Sequence, residues 1–352
     1  MPDQATIQNY RPGAMRLWLL IAAAMIFLTL VVGGATRLTE SGLSIVEWKP
    51  VAGVIPPLSE STWQAEFEKY QAIPQYRELN HGMSLAAFKV IYWWEWTHRL
   101  LARATGAVFL LPFLFFLVRG WVPPRLRLRL WAIFGAGALL GAVGWWMVAS
   151  GLSGLLVKVS PYRLAFHLTL ACAIYATVVW TAQQLAARAR GEVPKQLRMV
   201  ALAIAGLLLI QIYLGALVAG NDAGLVFNTW PLIDGAFIPS TERLWFEKPV
   251  WHNLFENTLT VQFDHRVMAY VVWLLAVFHA LHAWRTRCET AGAFVLTGVV
   301  TLQAVIGIVT LLQQAPVLLA LAHQILAIVV LTIAVIHAER LWHRAEFQDN
   351  AI

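Results

Sequence analysis

Residues 91–118 read IYWWEWTHRLLARATGAVFLLPFLFFLV, an apolar run whose one acid, one histidine and two arginines are confined to its first half. It exceeds the ~20 helical residues that cross a hydrocarbon core of ~30 Å, so it predicts a membrane-spanning helix. Seven further runs of this kind fall at 16–32, 130–149, 162–183, 199–219, 261–283, 291–312 and 317–338. With 59% hydrophobic residues, 13% charged residues and a mean hydropathy of +0.64, the chain is composed for lipid rather than water. The expected fold class is an all-α integral membrane protein with eight transmembrane helices, four in each half.

The polar end of the opening run has a counterpart in the second half of the chain. His98-Arg99 matches His265-Arg266 at a spacing of 167, and His167 matches His323 at 156. Upstream, Gly42-Leu43 and Trp48 recur 182 positions later as Gly224-Leu225 and Trp230, and Ile55-Pro56 is echoed by Ile238-Pro239. A repeat that carries a loop motif and two ligand-type residues reads as an internal duplication. Two pseudo-symmetric four-helix bundles are therefore expected, residues 1–190 with the longer loop and residues 191–352, related by an axis along the membrane normal.

Orientation follows from the basic flanks. Arg11, Arg16, Arg119, Arg125, Arg127, Arg129, Arg188, Arg190, Lys195, Arg198, Arg285, Arg287, Arg340 and Arg344 share one face with few acids (Asp3, Glu192, Glu289, Glu339). That excess predicts a cytoplasmic face holding both termini. The net charge of +7 is largely this bias beside anionic lipid and implies no nucleic-acid partner. The opposite face carries acids and two loops, roughly 33–89 and 220–260, whose Trp and Pro content predicts folded structure. The first apolar run lacks a small-x-small cleavage site and is expected to be a retained helix. Cys172 and Cys288 fall at different depths, which argues against a disulfide, and no CxxCH motif offers covalent haem attachment.

The second, fourth, sixth and eighth helices run in one direction, and each carries its histidine near the outer end of its apolar stretch. Parallel neighbours that present imidazole at one level can ligate a haem iron from both faces. The natural pairs are His98 with His167 and His265 with His323. A lone intramembrane histidine often serves only in packing, but polar groups in lipid are costly, and duplication of both members of a pair argues for ligation. Of the other histidines, His279, His282, His337 and His343 fall near cytoplasmic helix ends and His81 and His252 in outer loops, where interfacial or solvated roles are expected. Glu95 precedes His98 by one turn and shares its helix face, whereas the matching position holds Gln262. A carboxyl beside a haem could move protons or balance positive charge, or it could pair with Arg99. Arg99 and Arg266 follow their histidines directly and suit haem propionates, with snorkelling to the interface as the alternative. Gly135, Gly137, Gly141 and Gly144 read as a strip for close helix packing.

Taken together, Gly33-Gly34-Ala35-Thr36-Arg37-Leu38-Thr39, Ser41-Gly42-Leu43-Ser44, Glu47-Trp48-Lys49-Pro50, Phe88-Lys89 and Glu95-Trp96-Thr97-His98-Arg99 form a first-half signature. Glu256-Asn257, Gln262-Phe263-Asp264-His265-Arg266 and Ala322-His323-Gln324 form the second. Over nearly the whole chain these resemble the haem A synthase family, in the mitochondrial and proteobacterial branch that lacks an outer-loop cysteine pair. The resemblance implies oxidation of a ring methyl of haem O to a formyl group, giving haem A for cytochrome oxidase. It further implies a resident haem b on His265 and His323, with Arg266 and Arg99 at the cofactors, and a haem O site at His98 and His167 with Glu95. The setting implied is the bacterial inner membrane with haem sites toward its outer face. A haem O synthase would be the donor, the electron acceptor is not identified by the sequence, and a homo-oligomer is compatible with it. The alternative is a dihaem b-type electron carrier resembling a quinol oxidoreductase, which would need haems at two depths rather than one. A haem carrier without chemistry would leave Glu95 without a task.

Overall fold

Among the described residues, eight helices are long and apolar enough to cross a membrane: α1 (Pro12–Leu38), α2 (Leu85–Val118), α3 (Pro124–Ala149), α4 (Pro161–Gln184), α5 (Lys195–Gly220), α6 (Thr258–Thr286), α7 (Thr290–Leu312) and α8 (Val317–Asp349). The computed structural model describes residues 10–154, 156–186 and 191–349, with side chains through His343. Asp3, Arg188, Arg190, the side chain of Arg344 and the expected boundary at 190/191 lie outside the described residues.

Each helix overruns its apolar core because polar turns continue it. Pro12, Pro124 and Pro161 open α1, α3 and α4 at positions where a missing N–H costs nothing. Ser84 caps α2 by accepting from the Ala87 amide at 3.2 Å, and Asn257 caps α6 through the Leu259 and Thr260 amides. At Gly33-Gly34 the structure corrects the expected loop start. Helix α1 runs on to Leu38, because these glycines are places where side chains of other helices press on the backbone rather than a stop signal.

The helices of each half pack in the same ring. Helix α1 meets α2 and α4, and α3 meets the same two; α5 meets α6 and α8, and so does α7. The halves join through α4 with α5, α4 with α8 and α1 with α8. Their shared core includes Trp18, Phe113, Tyr175, Val178, Leu331 and Ala334, while Leu17, Leu111, Leu128, Leu274, Trp284 and Leu318 project outward. In lipid that outward apolar belt is the solvated surface. At the long-loop end, the Arg37 guanidinium donates to Ala219 O and to Asp222 Oδ1, and Lys158 bridges Glu40 at 3.2 Å and Asp222 at 2.9 Å. Glu40 and Asp222, which stand at the offset of the loop repeat, both adopt the left-handed conformation, with φ of 54° and 51°.

Two other expectations are corrected. Added Cβ atoms at Gly135, Gly137 and Gly141 would meet nothing within 4 Å, so that strip is not a packing face; only Gly144 touches a neighbour. His279 and His337 are buried rather than solvated, joined Nε2 to Nε2 at 2.8 Å. The small residues Ala280, Ala283, Ala293 and Ala338 draw α6, α7 and α8 together there and close the pair off.

The first long loop folds on a core of its own. Ser59 caps a helix over Glu60–Gln71, whose Trp63, Phe67 and Tyr70 pack on Phe88 and Tyr92 of α2. Glu47 receives Lys69 at 2.8 Å and also pairs with Lys49, while Lys69 bonds Glu66 at 2.8 Å. Hydrogen bonds from Lys49 and then Lys69 hold the Glu47 carboxyl below its usual 4.5. Burial pulls Lys69 down, but Glu47 and Glu66 outweigh it and raise its pKa, so the cation persists throughout the acid range. The contribution of Glu47 is therefore fully present above 4.5 and is lost as pH falls through its lower folded value. Protection of the amides of residues 60–71, corrected for the intrinsic pH dependence of exchange, is expected to hold above pH 4.5 and to fall as pH drops below it. Hydrogen exchange followed by mass spectrometry checks this, and in Glu47→Gln the acid-dependent step should vanish.

Candidate functional site

Each of the four repeat-related histidines lies against a glycine of the preceding helix. A Cβ added to Gly33 would stand 2.6 Å from His98 Cε1, one at Gly144 3.0 Å from His167, one at Gly215 3.0 Å from His265 and one at Gly307 2.7 Å from His323. Real Cβ atoms essentially never come as close as at Gly33 and Gly307 and seldom as close as at Gly144 and Gly215, so each ring takes up room that a side chain would otherwise fill. Within each half the two histidines stand on the two helices, α2 with α4 or α6 with α8, that pack against the same pair of neighbours. The donor set of each half is thus a pair of imidazoles on glycine cradles, and the buried His167 Nδ1 has no hydrogen-bond partner. These residues fit a bis-imidazole haem in either half.

The remaining ring nitrogens are held differently in the two halves. His98 Nδ1 meets the Thr29 carbonyl at 3.1 Å, while the Gln211 amide lies 3.1 Å from Nδ1 and 3.4 Å from Nε2 of His265 and the Gln303 amide 3.2 and 3.4 Å from those of His323. Next to His323, Gln324 donates to Leu30 O at 3.0 Å with its carboxamide lodged on Gly34.

Glu95 is buried one turn before His98 and its carboxylate is fully engaged. Oε2 accepts from Ser44 Oγ at 2.7 Å and from the Ile45 amide at 2.8 Å, and Oε1 from Arg99 Nη2 at 2.6 Å and Nε at 3.1 Å. Arg99 also donates to the carbonyls of Ile45 and Glu47, and it sits 6.0 Å from the Trp145 ring, which stacks on Trp48. In the second half Gln262 donates to Phe227 O at 3.3 Å, and Arg266 donates to the carbonyls of Phe227 and Leu232 with Nε unpartnered. Ile45 and Phe227 are separated by the offset of the loop repeat, so the arginines grip matching backbone positions. Sequence reading missed the glycines, Gln211, Gln303, Ser44 and the Ile45 amide. Gly33 and Gly215 share the 182-residue offset of the loop motif, a signal that was present in the sequence.

Residues 16–335 match the family described as cytochrome oxidase assembly protein. A Heme A synthase of Rhodopseudomonas palustris strain HaA2 is 60% identical over 346 residues, 97% of this chain and 94% of its own length. A Heme A synthase of Bradyrhizobium diazoefficiens is 58% identical over 352 residues, 99% of this chain and 97% of its own.

Proposed function

The chain belongs to the cytochrome oxidase assembly protein family and has the activity of a haem A synthase, and we propose that its two halves divide that task. In this reading His265 and His323 hold a resident haem b, and His98 and His167 receive haem O, whose ring methyl is oxidised to the formyl group of haem A. A haem b so held supplies a redox-active iron. Arg266, with its Nε unpartnered, is suited to meet a propionate. Arg99 spends its donors on Glu95 and two loop carbonyls, and so fixes loop and carboxylate together beside the substrate.

One observation carries the division: the buried carboxylate of Glu95 stands one turn from His98, where the other half has the neutral Gln262. When water supplies the oxygen, taking a methyl to a formyl group consumes one water and releases four protons and four electrons. A fixed negative charge at the substrate favours their departure. The rings of four helices and the matching arginine contacts support two bundles related by pseudo-symmetry. The basic flanks support termini in the cytoplasm of a bacterium and haem sites toward the outer face of its inner membrane. A haem O synthase in the same membrane is the natural donor, and a separate carrier must take the electrons.

The test is haem extraction and mass analysis after expression in a membrane that makes haem O but no haem A. His265→Ala and His323→Ala are expected to lose haem b, whereas His98→Ala and His167→Ala keep haem b and yield no haem A. Loss of haem b from the first-half variants instead would reverse the assignment.

A further inference from the structure

In the second half both candidate ligands are gripped by a glutamine one turn before the cradle glycine. Gln211 precedes Gly215 on α5, and Gln303 precedes Gly307 on α7. Each amide nitrogen lies against its histidine ring, 3.1 Å from Nδ1 and 3.4 Å from Nε2 for Gln211 and 3.2 and 3.4 Å for Gln303, and also donates to that histidine's own carbonyl, at 3.1 Å for Gln211 and 3.0 Å for Gln303. In both glutamines Oε1 is buried without a partner. The first half has no such device. Thr29 stands one turn before Gly33 and offers only its carbonyl, and Leu140 stands one turn before Gly144, where His167 Nδ1 is unpartnered.

We propose that Gln211 and Gln303 are positioning residues for iron ligation by His265 and His323, and that their absence from the first half leaves His167 the weakly held ligand there. An imidazole that binds iron through Nε2 must carry its proton on Nδ1, and Nδ1–H then needs an acceptor. A carboxamide can serve both states. As arranged here its nitrogen holds the ring and the histidine's own carbonyl, and turning the side chain gives up both contacts to let its unpartnered oxygen accept from Nδ1–H. Glutamate could only accept and lysine could only donate, so glutamine suits a ring that is held before iron arrives and again afterwards. An accepted Nδ1–H makes the imidazole a stronger donor to ferric iron, so this haem should be tightly retained and harder to reduce. His167, without a partner, is free to release its iron, as a site that takes in haem O and lets haem A leave requires. The inference rests on the reading that the second half keeps the resident haem.

The experiment uses the full chain purified in detergent with the haem it retains. Gln303→Leu and Gln211→Leu are expected to weaken haem retention by roughly ten- to a hundredfold and to raise its reduction potential. Gln303→Glu is expected to preserve retention and lower the potential, because a carboxylate accepts Nδ1–H more strongly. Opposite shifts from side chains of similar size are not produced by packing alone. Shifts of one sign, or none, would overturn the assignment. Leu140→Gln gives His167 the missing partner and is expected to raise haem retention in a His265→Ala background; unchanged retention would count against the role given to His167. His265→Ala and His323→Ala alone test the underlying reading. If they keep the haem spectrum of the wild type, the resident site is elsewhere, whatever the glutamine variants do.

Discussion

Glu95→Gln is expected to give a protein that inserts, folds and keeps its haem b, yet forms haem A about a hundred- to ten-thousandfold more slowly. The change keeps the shape and removes the charge. A glutamine amide can still accept from the Ile45 amide and Ser44 Oγ through one atom, but it cannot serve the Arg99 side of the network as a carboxylate does. Some loss of stability follows, since breaking a buried pair on one side costs about 3–5 kcal/mol. The decisive measurement is therefore the rate per molecule of haem b-loaded protein, with Gln262→Glu in parallel. If Glu95→Gln matches wild type on that basis, the carboxylate is a structural brace for the loop and the reacting site has been misplaced.

Gly307→Val is expected to strip the protein of its resident haem. Its Cβ alone would come within 2.7 Å of His323 Cε1, and the two methyls of valine go further into the space occupied by the ring. The imidazole must swing off the helix and leave the iron, or the two helices must separate against their packing. Gly298→Ala on the same helix is the control, since a Cβ there would meet nothing within 4 Å and alanine favours the helix. The haem-to-protein ratio after purification should fall steeply for Gly307→Val, less for Gly307→Ala and not at all for Gly298→Ala. Equal ratios in all three would mean that His323 does not need its seat on Gly307.

Much of this molecule could be read from the chain because lipid enforces a simple code. A helix that must bury its backbone polar groups internally and face hydrocarbon shows itself as a long apolar run, and all eight were visible. The four histidines stood out against those runs for the same reason. What stayed hidden depends on which helix faces which. Gly33-Gly34 looks like a helix end until His98 and Gln324 are found against it. Gly144 looked no different from Gly135, Gly137 and Gly141, although only Gly144 lies against a histidine ring. His279 and His337 looked interfacial because depth alone was considered, and small alanines at three helix faces sealed them in. Gln211 and Gln303 lie in apolar runs on helices that carry no ligand, so only the fold brings them to their histidines.

The lodging of Gln324 on Gly34 has a thermodynamic consequence. Gln324 is the chain neighbour of His323, the ligand proposed for one haem, and Gly34 is the chain neighbour of Gly33, the seat of a ligand proposed for the other. Any shift of α8 that accompanies binding at His323 is passed to α1 beside His98 through the bond to Leu30 O. Linkage between sites is reciprocal, so whatever factor a filled second half lends to the capture of haem O, haem O lends to binding in the second half. The two sites would then titrate cooperatively, and Gln324→Ala should make them independent.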